Sequence, residues 1–160
     1  MMMMRLLDLA GRTAIITGSS AGIGAAVSNA LRLQGCSVIG LDITPPPSSS
    51  LSSASTISSS TVSTATNTNV TYGQFTYQYC DVRNPDSIHQ AISPYKSLDY
   101  VVNVVGIDPK YSLSEGGPDQ WSQIIDTNLR SQYLVIRSAL SALEQGQGKS
   151  IVNISSINSR

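Results

Sequence analysis

The amino-acid sequence predicts an α/β protein built on a doubly wound parallel sheet. Apolar, β-branched runs alternate with stretches of helical periodicity, which is typical of a sheet covered by helices on both faces. The first run ends in a glycine-rich turn that leads into a helical pattern. A strand, a helix and a strand in this order imply a parallel pair with a right-handed crossover. At 160 residues the chain is long enough for one domain with a sizeable core.

The composition argues against several kinds of partner. Lysine plus arginine and aspartate plus glutamate number 10 each, so no net charge favours nucleic acid or an anionic membrane surface. No run of about 18 apolar residues is present to span a membrane. Two separated cysteines, Cys36 and Cys80, and one histidine, His89, cannot assemble a Cys/His metal cluster. We therefore expect a cytoplasmic protein with a small-molecule ligand.

The central feature of the sequence is the segment TGSSAGIG at residues 17–24. It follows a predicted strand at residues 12–17 and opens a predicted helix at residues 22–34, which Gly35 is expected to end. A helix N-terminus offers unpaired N–H groups, and glycines allow phosphate oxygens to come close to the backbone. The segment therefore predicts a diphosphate-binding loop, although a tight strand-to-helix turn also favours glycine.

A second predicted strand, residues 37–41, is followed by Asp42. A carboxylate at this position can accept hydrogen bonds from both ribose hydroxyls of an adenosine, and it would repel a 2′-phosphate. No lysine or arginine occurs between Arg32 and Arg83, so the sequence favours NAD over NADP. The alternative is that Asp42 is an exposed turn or cap residue.

Residues 45–70 are rich in proline, serine and threonine. This composition predicts either a disordered insertion or a substitute for a crossover helix. Apolar periodicity resumes beyond it. The further predicted elements are strands at residues 74–80, 98–105 and 149–156 and helices at residues 86–93 and 118–143, the second helix with a broad apolar face.

The glycine spacing G-x-x-x-G-x-G, with Asp81-Val82, Asn128 and Ile154-Ser155-Ser156 in this order, resembles the short-chain dehydrogenase/reductase family. The resemblance covers essentially all of the chain outside the serine- and threonine-rich tract. It implies a Rossmann-type sheet and hydride transfer between NAD(H) and an alcohol or carbonyl substrate. It implies cofactor contacts from Gly18, Ser20, Gly22, Ile23, Gly24, Asp42, Asp81, Val82, Asn103 and Gly106.

The resemblance also implies particular roles. Asp81 would accept a hydrogen bond from the adenine amine, and the Val82 backbone would meet a ring nitrogen. Asn128 would perturb its helix and help to hold a proton-relay water, while Ser156 would hydrogen-bond the substrate oxygen. The helix at residues 118–143 would pair with its copy in a homo-oligomer. From the residues alone, Asp81 and Ser156 are equally consistent with ordinary turns.

The sequence departs from the family pattern in two places. The family usually has Asn-Asn-Ala-Gly where this sequence has Asn103-Val104-Val105-Gly106, and the valines add bulk beside the expected cofactor ribose. Asn103 could also simply satisfy backbone groups in the sheet. The catalytic Tyr-x-x-x-Lys pair, which the resemblance places about a dozen residues after Ser156, does not occur in the chain.

Two functions therefore remain open from the sequence. The first is NAD-dependent oxidation of an alcohol or reduction of a ketone, with Ser156 and Asn128 as the remaining part of the catalytic set. The alternative is a truncated, inactive dinucleotide-binding fragment that pairs with full-length subunits through the 118–143 helix. In both cases we expect the sheet to be incomplete after its fifth strand, with an open apolar edge and poor solubility.

Overall fold

The computed structural model describes residues 9–47, 72–110 and 114–156. Its strands are β1 (Thr13–Thr17), β2 (Ser37–Asp42), β3 (Phe75–Tyr79), β4 (Tyr100–Asn103) and β5 (Ser150–Asn153). They form one parallel sheet with the order β3-β2-β1-β4-β5. The direction of winding reverses between β1 and β4, which is where open α/β sheets place their ligands.

Helices cover both faces of this sheet, which confirms the doubly wound architecture. They are α1 (Gly22–Leu33), α2 (Pro85–Ile92), α3 (Pro118–Ile125) and α4 (Ser131–Gln145), with a π-helical turn at Asp126–Arg130 joining α3 to α4. On one face, Val27 and Leu31 of α1 pack against Ile16 of β1. On the other face, α2 and α4 form a larger core that includes Ile15 of β1 and Val101 of β4.

The strand predicted at residues 98–105 is shorter than expected. The ladder of β4 ends at Asn103 because the backbone N–H groups of Val104 and Val105 donate to the Thr17 hydroxyl oxygen, at 3.0 and 3.2 Å. The threonine at the end of β1 therefore turns the chain away from the sheet. The apolar run continues past this turn, so its sequence pattern could not reveal where pairing stops.

The helix predicted at residues 118–143 contains a π-helical turn around Asn128, where the family resemblance implies a perturbation of the helix. A π turn inserts an extra residue into the helical ladder and shifts the face that the following turns present. The apolar residues consequently do not share one buried face, since Val135 is fully buried whereas Trp121 is 68% and Leu140 50% exposed.

Two helix ends have recognisable capping chemistry, and one of them was predicted. Gly35 follows α1 with a φ of +93°, a left-handed conformation that confirms it as the residue ending the helix. At the start of α2, the Asn84 side chain accepts hydrogen bonds from the backbone N–H groups of Asp86 and Ser87, at 2.9 and 3.4 Å. Pro85 occupies the first helical position, where its missing N–H is not needed.

The buried carboxylate of Asp99 ties together the starts of β1 and β4. It accepts hydrogen bonds from the backbone N–H groups of Thr13, Gln147 and Gly148, at 2.9, 2.8 and 2.8 Å, and Arg12 lies 3.3 Å away. Burial alone would raise the pKa of Asp99, but these hydrogen bonds and the Arg12 charge together lower it. No sequence pattern had singled out this residue.

Most of the predicted insertion at residues 45–70 lies outside the described residues, which resume at Tyr72. The returning chain is fixed at Gly73, whose N–H donates to the Arg32 carbonyl at 2.9 Å. In the opposite direction, Nε of Arg32 donates to the Gly73 carbonyl at 3.0 Å. This reciprocal pair explains why a largely buried arginine is tolerated in α1.

Within the described residues, β5 forms one edge of the sheet. Ile151 is 42% and Val152 48% exposed, and their side chains point to opposite faces because neighbours in a strand alternate. Among the described residues β5 therefore has one unpaired side and partly exposed apolar side chains, whereas an open sheet edge and poor solubility of the protein stay predictions. None of the helices described here is long and apolar enough to cross a membrane.

Candidate functional site

The glycine loop joins β1 to α1 at the carboxyl edge of the sheet. Gly18 and Gly22 have φ values of +68° and +53°, which side chains rarely adopt. A Cβ atom on Gly24 would lie 2.0 Å from the Gly18 carbonyl oxygen, so the helix approaches the loop too closely for any other residue. The N-cap Ala21 offers no side-chain hydrogen bond. The first turn of α1 is thus open to an anionic ligand.

Asp42 at the end of β2 is joined to this loop. Its carboxylate accepts hydrogen bonds from the backbone N–H groups of Ser20 and Thr44, both at 3.0 Å. The Ser20 hydroxyl in turn donates to the Thr44 carbonyl. The structure therefore brings Ser20 and Asp42, two predicted site residues, into direct contact. Each carboxylate oxygen carries one of these bonds and retains further acceptor capacity.

Asp81 follows β3, and its carboxylate is held by Arg83. Its Oδ1 accepts hydrogen bonds from the backbone N–H and from Nε of Arg83, both at 3.0 Å, and its Oδ2 accepts one from Nη2 at 2.7 Å. The Arg83 hydrogen bonds lower the pKa of Asp81. The adjacent Val82 is buried in the core. Asp81 is thus a fixed, ionised carboxylate at the sheet edge.

Asn128 lies in the π-helical turn and fixes the loop after β4. Its Oδ1 accepts from the Ile107 N–H and its Nδ2 donates to the Ile107 carbonyl, both at 2.8 Å. The side chain thus replaces a backbone partner for the residue that follows Gly106. The unwound turn and this side chain together set the separation between the helix and the loop.

A cavity of about 630 Å³ lies between these elements. Ile23 of α1, Gly106 after β4, Asn128 of the π turn and Ser156 after β5 all line it. Four residues that are far apart in the sequence therefore meet at one place. None of the described residues lining the cavity is a tyrosine or a lysine.

Asn103 does not line this cavity. It is 2% exposed, and its Nδ2 donates to Oδ1 of Asn153 at 2.8 Å, which links β4 to β5. Its own Oδ1 is buried without a hydrogen-bond partner among the described residues. The side chain therefore bonds another side chain within the sheet and not the backbone groups that the alternative interpretation named.

Two contributors to the site had not been assigned from the sequence. Thr17 shapes the end of β4 through its hydroxyl, and a polar residue at the last position of an otherwise apolar strand was the available signal. Arg83 holds Asp81 from two positions away, a spacing typical of an aspartate-led turn. No group of three His, Cys, Asp or Glu side chains in the described part of the chain could hold a metal ion.

The sheet order, the glycine loop and the cavity at the carboxyl edge define a Rossmann-like α/β protein. A family model described as short chain dehydrogenase matches residues 12–160. The chain therefore belongs to the short-chain dehydrogenase family, whose members are oxidoreductases that use NAD(P). This confirms the family resemblance seen in the sequence.

Individual relatives agree with this assignment. The chain is 29% identical over 152 residues to a 3-oxoacyl-(acyl-carrier-protein) reductase of Rickettsia felis, covering 95% of this chain and 56% of the relative. It is 26% identical to a D-xylose 1-dehydrogenase of Caulobacter vibrioides, covering 94% and 56%. The chain thus spans about half the length of the curated relatives that it matches.

Solved structures of oxidoreductases also match this chain over about half of their own length. The ligand-free aldohexose dehydrogenase of Thermoplasma acidophilum matches with a TM-score of 0.73 and 29% identity, over 93% of this chain and 51% of that one. A dehydrogenase/reductase of Sinorhizobium meliloti matches with a TM-score of 0.68 and 30% identity, over 85% and 51%. The architecture described above is that of half of such a structure.

Proposed function

We propose that this protein binds NAD(H) along the carboxyl edge of the sheet and transfers hydride between the cofactor and an alcohol or carbonyl substrate. The observation that carries the proposal is the cavity in which Ile23, Gly106, Asn128 and Ser156 meet. A bound nicotinamide would supply the hydride chemistry. The chain's own contribution is to bind and orient the reactants and to hold polar atoms beside them.

The adenosine diphosphate half would bind outside this cavity. The open first turn of α1 and the close backbone approach at Gly24 favour a diphosphate against Gly18, Ser20, Gly22 and Ile23. The free acceptor capacity of Asp42 suits two ribose hydroxyls. The same negative charge would repel a 2′-phosphate, which supports NAD over NADP.

Asp81 and Val82 would recognise adenine, with the carboxylate accepting from the exocyclic amine. Gly106 would line the cofactor channel beside the cavity. Asn103 would contribute indirectly, by holding β4 to β5 through Asn153.

Ser156 and Asn128 would serve the reaction in different ways. Ser156 lines the cavity, so its hydroxyl can hydrogen-bond the substrate oxygen. Asn128 holds Ile107 at both its N–H and its carbonyl and would thereby keep the cavity wall in place. Hydride transfer also requires a group that gives a proton to the substrate oxygen or takes one from it. A serine hydroxyl alone does this poorly near neutral pH.

The second candidate function is a dinucleotide-binding protein without catalysis. The described lining of the cavity contains no tyrosine or lysine, the side chains that the family resemblance assigns to proton transfer. In this alternative the chain binds NAD(H) and pairs with full-length subunits instead of turning over substrate.

An exposed apolar stripe suits such pairing. Trp121, Leu129, Tyr133 and Leu140 are 68%, 63%, 59% and 50% exposed and follow one another along α3, the π turn and α4. Large apolar side chains grouped on a surface mark interaction sites. We propose that this stripe pairs with its copy in a homo-oligomer. Changing Leu129 and Tyr133 to serine should shift a dimer to a monomer in analytical ultracentrifugation, whereas an unchanged mass would contradict the pairing.

Nucleotide titration tests the proposed cofactor directly. Calorimetry of the 160-residue chain should show tighter binding of NAD than of NADP. Asp42→Ala should weaken NAD binding and reduce the ratio of the two affinities. Asp119→Ala, which removes an exposed carboxylate on α3, is the matched control. Equal affinity for NAD and NADP in the unaltered chain would contradict the cofactor assignment.

Turnover then separates the two candidate functions. Consumption of NADH with a panel of ketones and aldehydes, lost in Ser156→Ala, would support the oxidoreductase. NAD binding without turnover would support the non-catalytic alternative. Absence of nucleotide binding would refute both.

We also propose a cytoplasmic location. Both cysteines are free and buried, as expected in a reducing compartment. Cell fractionation of the native protein tests this, and its recovery from an oxidising compartment would contradict it.

A further inference from the structure

The carboxylate of Asp81 is more constrained than a free adenine-binding group would be. An ionised carboxylate has about four lone-pair directions, two on each oxygen. Arg83 occupies three of them, two on Oδ1 and one on Oδ2. A single acceptor direction, on Oδ2, is left for another donor.

The constraint comes from a two-point fork. Nε and Nη2 of Arg83 contact different oxygens of Asp81, at 3.0 and 2.7 Å, so rotation of the carboxylate would break both bonds. The Arg83 side chain is 45% exposed and that of Asp81 25% exposed. The pair therefore stands at the surface, within reach of a ligand, and its geometry is set before any ligand arrives.

We propose that Arg83 is a positioning residue for adenine recognition, because it holds Asp81 with one acceptor direction free for the exocyclic amine. This inference rests on the proposed binding of NAD(H). An amine can donate to that oxygen, whereas the carbonyl of hypoxanthine can only accept and would be repelled. A fixed carboxylate should therefore discriminate between the two bases better than a mobile one.

The matched ligands for the test are ADP-ribose and its hypoxanthine analogue, inosine diphosphate ribose. They differ at the base and leave out the nicotinamide, so the measurement does not depend on the reaction cavity. Calorimetry should show that the unaltered chain prefers ADP-ribose. In Arg83→Ala this preference should fall about 3- to 10-fold, the cost of ordering one freed side chain at a binding site.

Arg83→Lys separates positioning from charge. A lysine retains the positive charge but cannot form the two-point fork, so it should lose the preference as the alanine variant does. If lysine restores the preference fully, the role is electrostatic and the proposal is wrong. Arg130→Ala, which removes an exposed charge paired with Asp126, is the control. It should weaken the binding of both ligands to the same extent and leave the ratio of their affinities unchanged.

The remaining outcomes are distinct. An unchanged or larger preference in Arg83→Ala would overturn the proposal, and a larger one would mean that Arg83 competes with adenine. Equal binding of both ligands by the unaltered chain would overturn the role of Asp81 as well, with cofactor binding intact. Binding of neither ligand would overturn the proposed function together with this inference. Arg83→Gln, which retains most of the side-chain stem, replaces the alanine variant if that one unfolds.

Discussion

Replacing Asp99 by asparagine should strongly destabilise the protein. The Asp99 side chain is 8% exposed, and its carboxylate accepts backbone hydrogen bonds from Thr13, Gln147 and Gly148. Asparagine has the same shape but only one acceptor oxygen. Its NH2 group must face at least one of these donors, so a backbone N–H near the sheet loses its partner.

The expected cost follows from these contacts. In the better orientation the amide oxygen keeps Gln147 and Gly148, and Thr13 loses a charge-assisted bond worth about 1.5–3 kcal/mol. The retained bonds weaken because their acceptor is no longer charged, and the ion pair with Arg12 is lost. Together these losses amount to about 3–5 kcal/mol, similar to removing one partner of a buried ion pair.

Urea unfolding at several pH values provides the assay. The folded pKa of Asp99 is lowered, so its contribution is present above the unfolded pKa of about 3.9 and is lost as the pH falls through the folded pKa. The gap between the unaltered chain and Asp99→Asn should therefore be full at pH 7 and shrink below about pH 4. Asp119→Asn, an exposed control in the first turn of α3, should cost less than about 1 kcal/mol. An Asp99→Asn cost below about 1 kcal/mol at pH 7 would refute the reasoning.

Three further predictions concern single sites. Gly24→Ala places a Cβ 2.0 Å from the Gly18 carbonyl oxygen. The free energy of unfolding in urea should fall by about 1–3 kcal/mol, and calorimetry should show a loss of NAD binding. If both quantities are unchanged, the loop geometry is wrong. Ser19 buries a hydroxyl that has no hydrogen-bond partner among the described residues. Ser19→Ala should therefore leave the free energy of unfolding unchanged or raise it by up to about 1 kcal/mol. A clear decrease in the free energy of unfolding would contradict this. Burial raises the pKa of Cys36 to about 12 and of Cys80 to about 11. Both thiols of the folded chain should therefore react with a disulfide reagent at pH 8 at least about 100-fold more slowly than those of the chain unfolded in urea. Rapid labelling of the folded chain would contradict this.

Local patterns were sufficient to predict the elements of the fold. The β-branched runs, the glycine loop and Gly35 each depend on a few neighbouring residues, so periodicity and turn chemistry locate them in one sequence. The end of β4 was missed, and the π form of the helix perturbation at Asn128 was not specified, because distant contacts decide both. Thr17 ends the β4 ladder by hydrogen bonds across the sheet, and the Asn128 side chain bonds the loop after β4.

The sequence by itself determined the family, the strand-helix alternation and the candidate residues at the strand ends. It did so because glycine spacing and apolar periodicity express backbone requirements that are local in the chain. Only the tertiary structure decided that Ile23, Asn128 and Ser156 line one cavity and that Asn103 instead joins two strands. The physical reason is that a side chain's partners depend on sheet order and helix packing, which bring together groups that no sequence spacing relates.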